Sequence, residues 1–557
     1  MPSHDAASVA ALLREFAQRS ALRGGNPYRA RAYARAAENL GLLTIPLAEA
    51  IRAGRLREIP GVGEAIAEII TTMFRTGTHP ALDSMREEVP AGALEMLAVP
   101  GLRSDKVLKL HKDLGIGSLT ELEQAARADR LKPVKGLGPA LQAKILQGIE
   151  TLRGAEGRRH LHRAAALLES AVDQLRRAHP GLKRITPAGD FRRGCELVSD
   201  LCLVVEASRA DTSRRIASNA GLTIHLTDTA RYGITLLQAT GSQAHLDRLK
   251  ALADTKGLVL DAQGLRRGRK IMARKDEAAI YKALDLPFIP PELREGDGVI
   301  ERTEPGKLPP LVADGDLRGI LHAHTVLSDG ADTLEAMVGA TRQRGYSYFG
   351  VADHSKSAHY AGGLTLDEIA AQHREIDRLN KRYGAGFRIL KGIESDILAD
   401  GALDYPDDVL ARFDFVVASV HSRFKLDKKT QTDRILRAVG NPYTTILGHM
   451  TGRQLLRRPG YEVDVEKILR ACAEHGVAVE INANPWRLDL DWRWHRRALE
   501  LGCTLSINPD AHSIAELDLV RWGVLMARKG GVPKDRVLNC LDLEAITVLL
   551  QERNRGR

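Results

Sequence analysis

Nine His, Asp and Glu residues between Gly319 and Ser513 carry the most legible chemistry of this 557-residue chain. They are His322 and His324 in GILHAHT, Asp329 in LSDG, His354 in GVADHS and Glu394 in ILKGIES; the rest are His421 in VVASVHS, His449 in TILGHM, and Asp510 with His512 in INPDAHS. Imidazoles and carboxylates mixed in this way, with no cysteine, suit Zn²⁺, Mn²⁺ or Fe²⁺ better than a closed structural thiolate site does. Residues two apart on a strand share a face, so His322 with His324, and Asp510 with His512, are each expected to grip one ion together. Nine ligands exceed what one ion can use, which implies a cluster of two or three. A single histidine at a strand end is usually a hydrogen-bonded core or surface residue, so the reading rests on the recurrence.

Each of the nine follows a short apolar, β-rich run bounded by Gly or Ser, where a buried strand opens into a loop. Parallel α/β proteins place their chemistry there. Strand and helix signals alternate from Leu317 to the end, as a βα barrel requires. Helices such as Thr333 to Arg344 have apolar residues at ordinary packing spacing. In order and along the whole segment, these motifs resemble the PHP (polymerase and histidinol phosphatase) metallophosphoesterases. The resemblance implies a distorted (β/α)7 barrel with three metals at the strand C-termini. Carried over by position, the first metal takes His322, His324, Glu394 and Asp510, the second Glu394, His421 and His449, and the third Asp329, His354 and His512. Glu394, Asp510, His322 and His324 are then the catalytic residues, with Glu394 bridging two metals.

At this length the chain is expected to hold about three or four domains. Hydrophobic content of 44% with 27% charge is ordinary for a folded protein. The net charge of +10 favours a polyanionic partner. Cys195, Cys202, Cys472, Cys503 and Cys540 form no C-x-x-C pair, so neither a disulfide framework nor a thiolate metal site is indicated, and a reducing cytoplasm fits. The start, with Asp5 as a helix cap, lacks the pattern of a signal peptide, and no apolar run is long enough to span a bilayer. A cytoplasmic protein with no membrane partner is expected.

Residues 1 to about 150 read as short helices punctuated by three related turns. These are Ile59-Pro60-Gly61-Val62-Gly63, Val99-Pro100-Gly101-Leu102 and Val134-Lys135-Gly136-Leu137-Gly138, each followed by a helix. They resemble helix-hairpin-helix motifs, in which Gly61, Gly63, Gly101, Gly136 and Gly138 let helix N-terminal amides approach a DNA phosphate. Such contacts hold any sequence. The middle copy is the poorest, because its second glycine is Arg103. Asn26 to Ala36 also resembles the start of the small N-terminal domain of X-family DNA polymerases. The lysine that forms a Schiff base with an abasic sugar in that family falls at Ile69, so lyase chemistry is not expected.

From Ala165 to about 300 the pattern turns to α+β, with strand-like runs at Leu201 to Val205, Leu222 to Leu226 and Gly257 to Leu260. Gly189-Asp190-Phe191-Arg192-Arg193-Gly194, followed by Asp200, resembles the nucleotidyltransferase palm of X-family polymerases, and Thr240 to Ser242 with Ile280 to Lys282 resembles their thumb. Two-metal nucleotidyl transfer needs carboxylates to hold both ions. Here Asp200 stands at the first such position, but the second falls at Cys202 and the third at His225. The serine that binds triphosphate after Gly189 is Asp190, and the aromatic pair before Thr240 is Gln238-Ala239. With Gly189, Asp190, Arg192, Asp200, Cys202 and His225 the site reads as degenerate, and Asp228 as no replacement.

The whole chain thus resembles a bacterial X-family DNA polymerase with a C-terminal PHP domain. The expected domains are a small helical domain at 1–90, a fingers-like helical domain at 91–150, a degenerate palm and thumb at 151–300, a proline-rich linker at 301–316 and the PHP domain at 317–557. The function implied is a DNA repair enzyme acting mainly as a metal-dependent 3′-to-5′ exonuclease on gapped, recessed or damaged DNA ends. Its cofactors would be three divalent metals, Mn²⁺, Zn²⁺ or Fe²⁺, and its expected state is monomeric. The rival reading is a gap-filling DNA polymerase with an attached exonuclease. Lys356, Arg423, Lys425, Arg453, Arg457 and Arg458 are candidates for steering a phosphodiester backbone, and Trp486 and Trp492 to Trp494 are expected to cap the barrel.

Overall fold

The turn sequence of the N-terminal helices dictates their geometry. In the first two turns proline sets the φ of the second position, and in all three glycine supplies the positive φ of the third, as a type II turn requires. Gly61, Gly101 and Gly136 have φ of 85°, 81° and 86°, and the turns close through Val62 N–H to Ile59 O, Leu102 N–H to Val99 O and Leu137 N–H to Val134 O. Helices Glu64–Thr76, Ser104–Leu114 and Pro139–Gly154 follow. The middle copy adopts the same turn as the others. Arg103 caps its helix at φ −85°, beside φ −87° for Gly63, so the second glycine is not required by the backbone.

The computed structural model describes residues 4–24, 26–43, 45–88, 91–134, 136–154, 157–207, 221–296, 298–302 and 308–555. Lys135 of the third turn and residues 303–307 of the expected linker lie outside the described residues. The chain divides into two compact units, Met1–Gly306 with Leu456–Arg458, and Lys307–Leu455 with Pro459–Arg557.

In the first unit, apolar faces of the short helices form one core around Leu13, Leu40 and Ile70, and a second around Val107, Leu122 and Ile145. Asp5 caps the first helix, Ala6–Leu22, by accepting from Ser8 N–H at 2.8 Å. Strands β1 (Arg159–His160) and β3 (Leu197–Val198) pair antiparallel. Strands β2 (Arg184–Pro187), β4 (Leu201–Glu206) and β5 (Leu222–Thr227) form a second sheet, β2 antiparallel and β5 parallel to a wholly buried β4. A meander of β6 (Val259–Asp261), β7 (Gly264–Arg267) and β8 (Lys270–Ala273) follows. Behind it Glu277 accepts from Arg192 at 2.9 and 2.7 Å, and also from the fully buried Arg294.

The second unit is built on seven parallel strands, β9 (Gly319–Ala323), β10 (Tyr348–Val351), β11 (Arg388–Asp396), β12 (Phe415–Ser419), β13 (Ile446–Leu447), β14 (Ala478–Asn482) and β15 (Leu505–Asn508), in sequence order. Near-continuous burial along them is the signature of a parallel sheet covered on both faces. The Ala323–Ala511 bridge and the 2.8 Å bond from His324 N–H to Ala511 O bring the first strand back to the last, giving a nearly closed barrel. The Phe415 ring fills space that a Cβ at Gly350 or Gly392 would occupy, so both glycines are demanded by packing. Among the described residues no helix is long and apolar enough to cross a membrane.

Candidate metal centre

All nine sequence-selected residues come from the C-terminal ends of barrel strands or the loops just beyond them. Three groups have ligand atoms lying within 4.8 Å of one another: His322, His324 and Asp510; His324, Asp329, His354 and His512; and His354, Glu394 and His421. Glu394 lies at the middle. Its Oε1 is 3.3 Å from His322 Nε2, 3.3 Å from His421 Nε2 and 3.2 Å from His449 Nε2, and its Oε2 is 2.9 Å from His354 Nδ1. Two ligands each about 2.1 Å from a tetrahedral ion stand about 3.3 Å apart, so this spacing suits a shared cation.

Of the two pairings expected from spacing, one is met and one is not. His322 and His324 do converge, but not as plain strand neighbours: His322 has φ 59° and sits where the β9–β10 register shifts. Asp510, with φ 52°, turns its Oδ1 to 3.2 Å from His324 Nε2. Its expected partner His512 faces Asp329 Oδ1 at 3.3 Å instead. Asp510 and His512 therefore serve different groups. Non-glycine residues with left-handed backbone are uncommon, and strain of this kind gathers where ligands must be aimed.

The residues fit a metal cluster on chemical grounds. His322 Nε2, both ring nitrogens of His324, His354 Nδ1 and both oxygens of Glu394 are buried without a hydrogen-bond partner. A buried carboxylate with no donor is costly, and a cation satisfies it and the imidazoles at once. The electrostatics agree. Burial disfavours charge on His322, but the carboxylates of Glu480, Glu394 and Asp510 hold its imidazolium well above the ordinary range. Burial likewise opposes ionisation of Glu394, yet His421, His322 and His354 hold it well below. Burial also opposes charge on His421 and His512, but their carboxylate neighbours, Glu394 and Asp396 for one and Asp329 and Asp510 for the other, lift them to about 10 and about 9. Burial takes His324 down to about 4.

A supporting layer was not foreseen from sequence. Glu480 Oε1 lies 2.5 Å from His322 Nδ1, and its Oε2 accepts from His449 N–H at 2.7 Å. Asp396 Oδ1 is 2.6 Å from His421 Nδ1, and Asn482 Nδ2 donates to Asp510 Oδ2 at 3.1 Å. Asp353 accepts from Thr325 N–H, Thr325 Oγ1, Ser328 Oγ and Gln372 Nε2, which fixes the loop between His324 and Asp329. The signal was present: β14 is the one strand with no ligand assigned, and Glu480 and Asn482 stand two apart on it.

Around the cluster, the expected basic residues divide. Arg453 pairs with Asp491 at 2.8 Å and donates to main-chain oxygens, and Lys356 lies 5.5 Å over the Tyr405 ring. Trp486, expected to cap the barrel, is 40% exposed.

A cavity of about 390 Å³ lies in the first unit, lined by Gly189, Asp190, Arg193, Asp200, Cys202, Thr223, His225, Thr235, Gln238 and Ala239. Arg192, selected from the sequence, is absent from its lining and turns to Glu277 and Thr240; Arg193 takes the place facing the cavity. The Asp190 carboxylate is occupied, accepting from Arg193 at 2.5 Å and from Ser199 N–H at 3.0 Å. The strand register places both Thr223 and His225 beside this cavity. Thr223 stands opposite Cys202, and His225 is one pleat further on, opposite Val204. Burial and Asp200 push the Cys202 thiol up to about 11. Asp228 lies outside the lining and caps the turn to Arg231.

Three known families match parts of the chain: a helix-hairpin-helix domain at residues 4–79, a DNA polymerase beta thumb at 235–295 and a PHP domain at 321–484. Among curated relatives, a DNA polymerase/3'-5' exonuclease PolX of Bacillus subtilis (strain 168) is 32% identical, covering 98% of this chain and 99% of that protein. Probable phosphatases of Shewanella sp. (strain MR-4) and Thermoanaerobacter sp. (strain X514) are 28% and 27% identical. Each covers 42% of this chain and 92% and 94% of its own length respectively.

Proposed function

The chain belongs to the X-family DNA polymerases that carry a C-terminal PHP domain, and on that premise we propose a DNA repair enzyme that acts mainly as a metal-dependent 3′-to-5′ exonuclease, with polymerase activity weak or lost. The observation that carries this reading is the Glu394 carboxylate, buried without a hydrogen-bond donor and faced by four imidazoles within 3.3 Å.

His322, His324, Glu394 and Asp510 would hold one metal, Glu394, His421 and His449 a second, and Asp329, His354 and His512 a third, with Mn²⁺, Zn²⁺ or Fe²⁺ as candidates. Divalent cations bound there supply Lewis acidity, activating water as nucleophile and offsetting charge on the phosphate and the leaving 3′ oxygen. The chain's own part is to hold the ligands ready. Glu480 and Asp396 take the Nδ1 protons of His322 and His421, leaving each Nε2 free to ligate. Asn482 fixes one oxygen of Asp510 and leaves the other toward His322 and His324.

DNA is the partner because each helix after the repeated turns begins without a side-chain cap where described, at Gly63 and Arg103, and a Cβ at Gly63 or Gly138 would meet nothing within 4 Å. Uncapped amides beside open backbone suit a phosphate. The proposed division of labour is helical domains at 1–90 and 91–150 and a palm and thumb at 151–300 that hold DNA, then a linker at 301–316 and a cutting domain at 317–557. Gapped, recessed or damaged ends are the proposed substrates of a monomeric enzyme working in the cytoplasm.

Loss of polymerase activity is supported by the palm cavity, where Asp200 is the single carboxylate not already paired with an arginine. Asp190 is neutralised by Arg193, so it does not repel phosphate so much as fill its place.

The test uses a labelled recessed primer-template with Mn²⁺, with and without dNTPs, on wild type and His322→Ala. Shortening by the wild type alone, unaffected by dNTPs, is expected. Extension of the primer by His322→Ala with dNTPs would sink the reading and install the gap-filling polymerase.

A further inference from the structure

The loop that leaves β14 is fastened from several sides. Arg487 N–H donates to Asn484 O at 2.8 Å, and Asn484 N–H donates to Asn482 Oδ1 at 3.1 Å. Arg453 donates to Arg487 O at 3.0 Å and to Leu488 O while its own charge is met by Asp491. Leu488 takes φ 46°. This frame aims the Arg487 side chain, 19% exposed, so that Nε lies 3.7 Å from Asp510 Oδ2. The other oxygen of the same carboxylate faces His322 and His324.

Among the described residues the Arg487 guanidinium donates no hydrogen bond, and Asp510 is its one ion-pair partner. A side chain set this deeply that gives none of its five donors to a protein acceptor is costly to hold. A cation beside a cluster built to take divalent cations is repelled by them once they bind. One kind of ligand relieves both costs: an anion lying between the guanidinium and the cluster. The planar fork matches the oxygens of a phosphate. Two other arginines of the barrel unit are otherwise engaged, Arg453 fastening the loop and the buried Arg434 donating to main-chain oxygens of Ile397, Leu398 and Ser422.

We propose that Arg487 is a substrate-binding residue that holds a non-bridging oxygen of the phosphate ester presented to the cluster. This rests on the metal-dependent phosphoesterase reading. Arg487 orients the phosphate against Asp510 and compensates charge that grows on the phosphate oxygens during displacement.

The experiment compares Mn²⁺-loaded wild type, Arg487→Ala and Arg487→Lys in three measurements: KM and kcat on a labelled single-stranded oligonucleotide, inhibition by inorganic phosphate, and bound metal by elemental analysis. Arg487→Ala is expected to lose about 10²-fold in kcat/KM and at least about tenfold in phosphate affinity, with metal content unchanged. Arg487→Lys keeps the charge without the fork, and is expected to recover part of the phosphate affinity and less of kcat. Unchanged phosphate inhibition and KM in Arg487→Ala would overturn the proposal. So would metal loss in step with activity, because Arg487 would then serve only to position Asp510. If wild type cleaves no DNA, the phosphoesterase reading falls by itself, and inorganic phosphate binding followed by calorimetry in place of inhibition still judges Arg487. Should the Ala variant fail to fold, the Lys variant decides, and full phosphate affinity with kcat intact in it would overturn the fork.

Discussion

Glu480 and His322 are 158 positions apart, yet Glu480 Oε1 and His322 Nδ1 are 2.5 Å from each other and both side chains are sealed from solvent. The same carboxylate accepts from His449 N–H and from the side-chain amides of Asn482 and Asn508. One buried group thereby sets the ring orientation of a candidate ligand on β9 and the position of another beyond β13.

Glu480→Gln is expected to keep the fold and weaken metal binding about 10- to 100-fold, since the amide no longer draws the Nδ1 proton. Competition with a chromophoric chelator measures this directly. Metal affinity equal to wild type would assign Glu480 a packing role only.

His322→Ala is expected to abolish cleavage while DNA affinity, read by fluorescence anisotropy, stays within about twofold. The reason is that the helical turns proposed to hold DNA share no residue with the cluster. Parallel loss of binding would argue that the cluster itself anchors the DNA.

The turn glycines separate conformation from access. Gly61 has φ 85° and a Cβ there would stand 3.3 Å from Arg35 Cγ, so Gly61→Ala is expected to destabilise by about 1 kcal/mol or more. Gly63 has an extended backbone and open space beside it. Gly63→Ala is therefore expected to leave stability unchanged and weaken DNA binding, by a salt-dependent amount. Equal DNA affinity would remove that amide from the interface.

His245 is fully buried, with Nε2 2.8 Å from the Tyr281 hydroxyl. Burial, and then Arg294, push its pKa down from 6.5 to about 4. Between those values the unfolded chain binds a proton that the folded chain refuses. Stability from this group is complete above pH 6.5 and falls as pH drops toward 4, by up to about 3 kcal/mol. All four tryptophans lie in the barrel unit, so their fluorescence does not report it. Hydrogen exchange in the helix Gln243–Thr255 does, and a His245→Gln variant should flatten the slope between pH 6.5 and 4.5.

In the palm, Cys202→Asp alone is expected to leave primer extension at background, because Thr223 across the strand pair bears no carboxylate. The Cys202→Asp, Thr223→Asp double variant restores carboxylates on both strands and is expected to gain Mn²⁺ binding in the first unit. Extension by the single variant would mean that His225 or Asp228 already completes the site.

Much of the protein was written locally. A buried apolar run followed by a histidine or carboxylate is a short-range pattern, so all nine cluster residues, the alternation of strand and helix, and the three turns could be read without knowing what they touch. The strand of Leu201 to Glu206 and the Asp5 cap are of the same kind.

What the chain did not disclose depends on closure and register. Spacing alone made Asp510 and His512 partners because period two puts them on one face, whereas φ 52° at Asp510 goes with their lying in different groups, as the family resemblance had implied. Glu480 hid inside a run that reads as plain buried strand, and its worth became visible only when the barrel brought β14 beside β9 and β13. That Thr223 stands opposite Cys202, with His225 opposite Val204, could not be read from the chain, because strand register is set by pairing across a sheet, where a shift of two residues leaves the hydrophobic pattern intact. Residue type and spacing determined which atoms could bind a metal or a phosphate. Which of them meet was decided by the barrel, since distances between atoms more than a hundred positions apart follow from packing a nearly closed sheet and from no local preference.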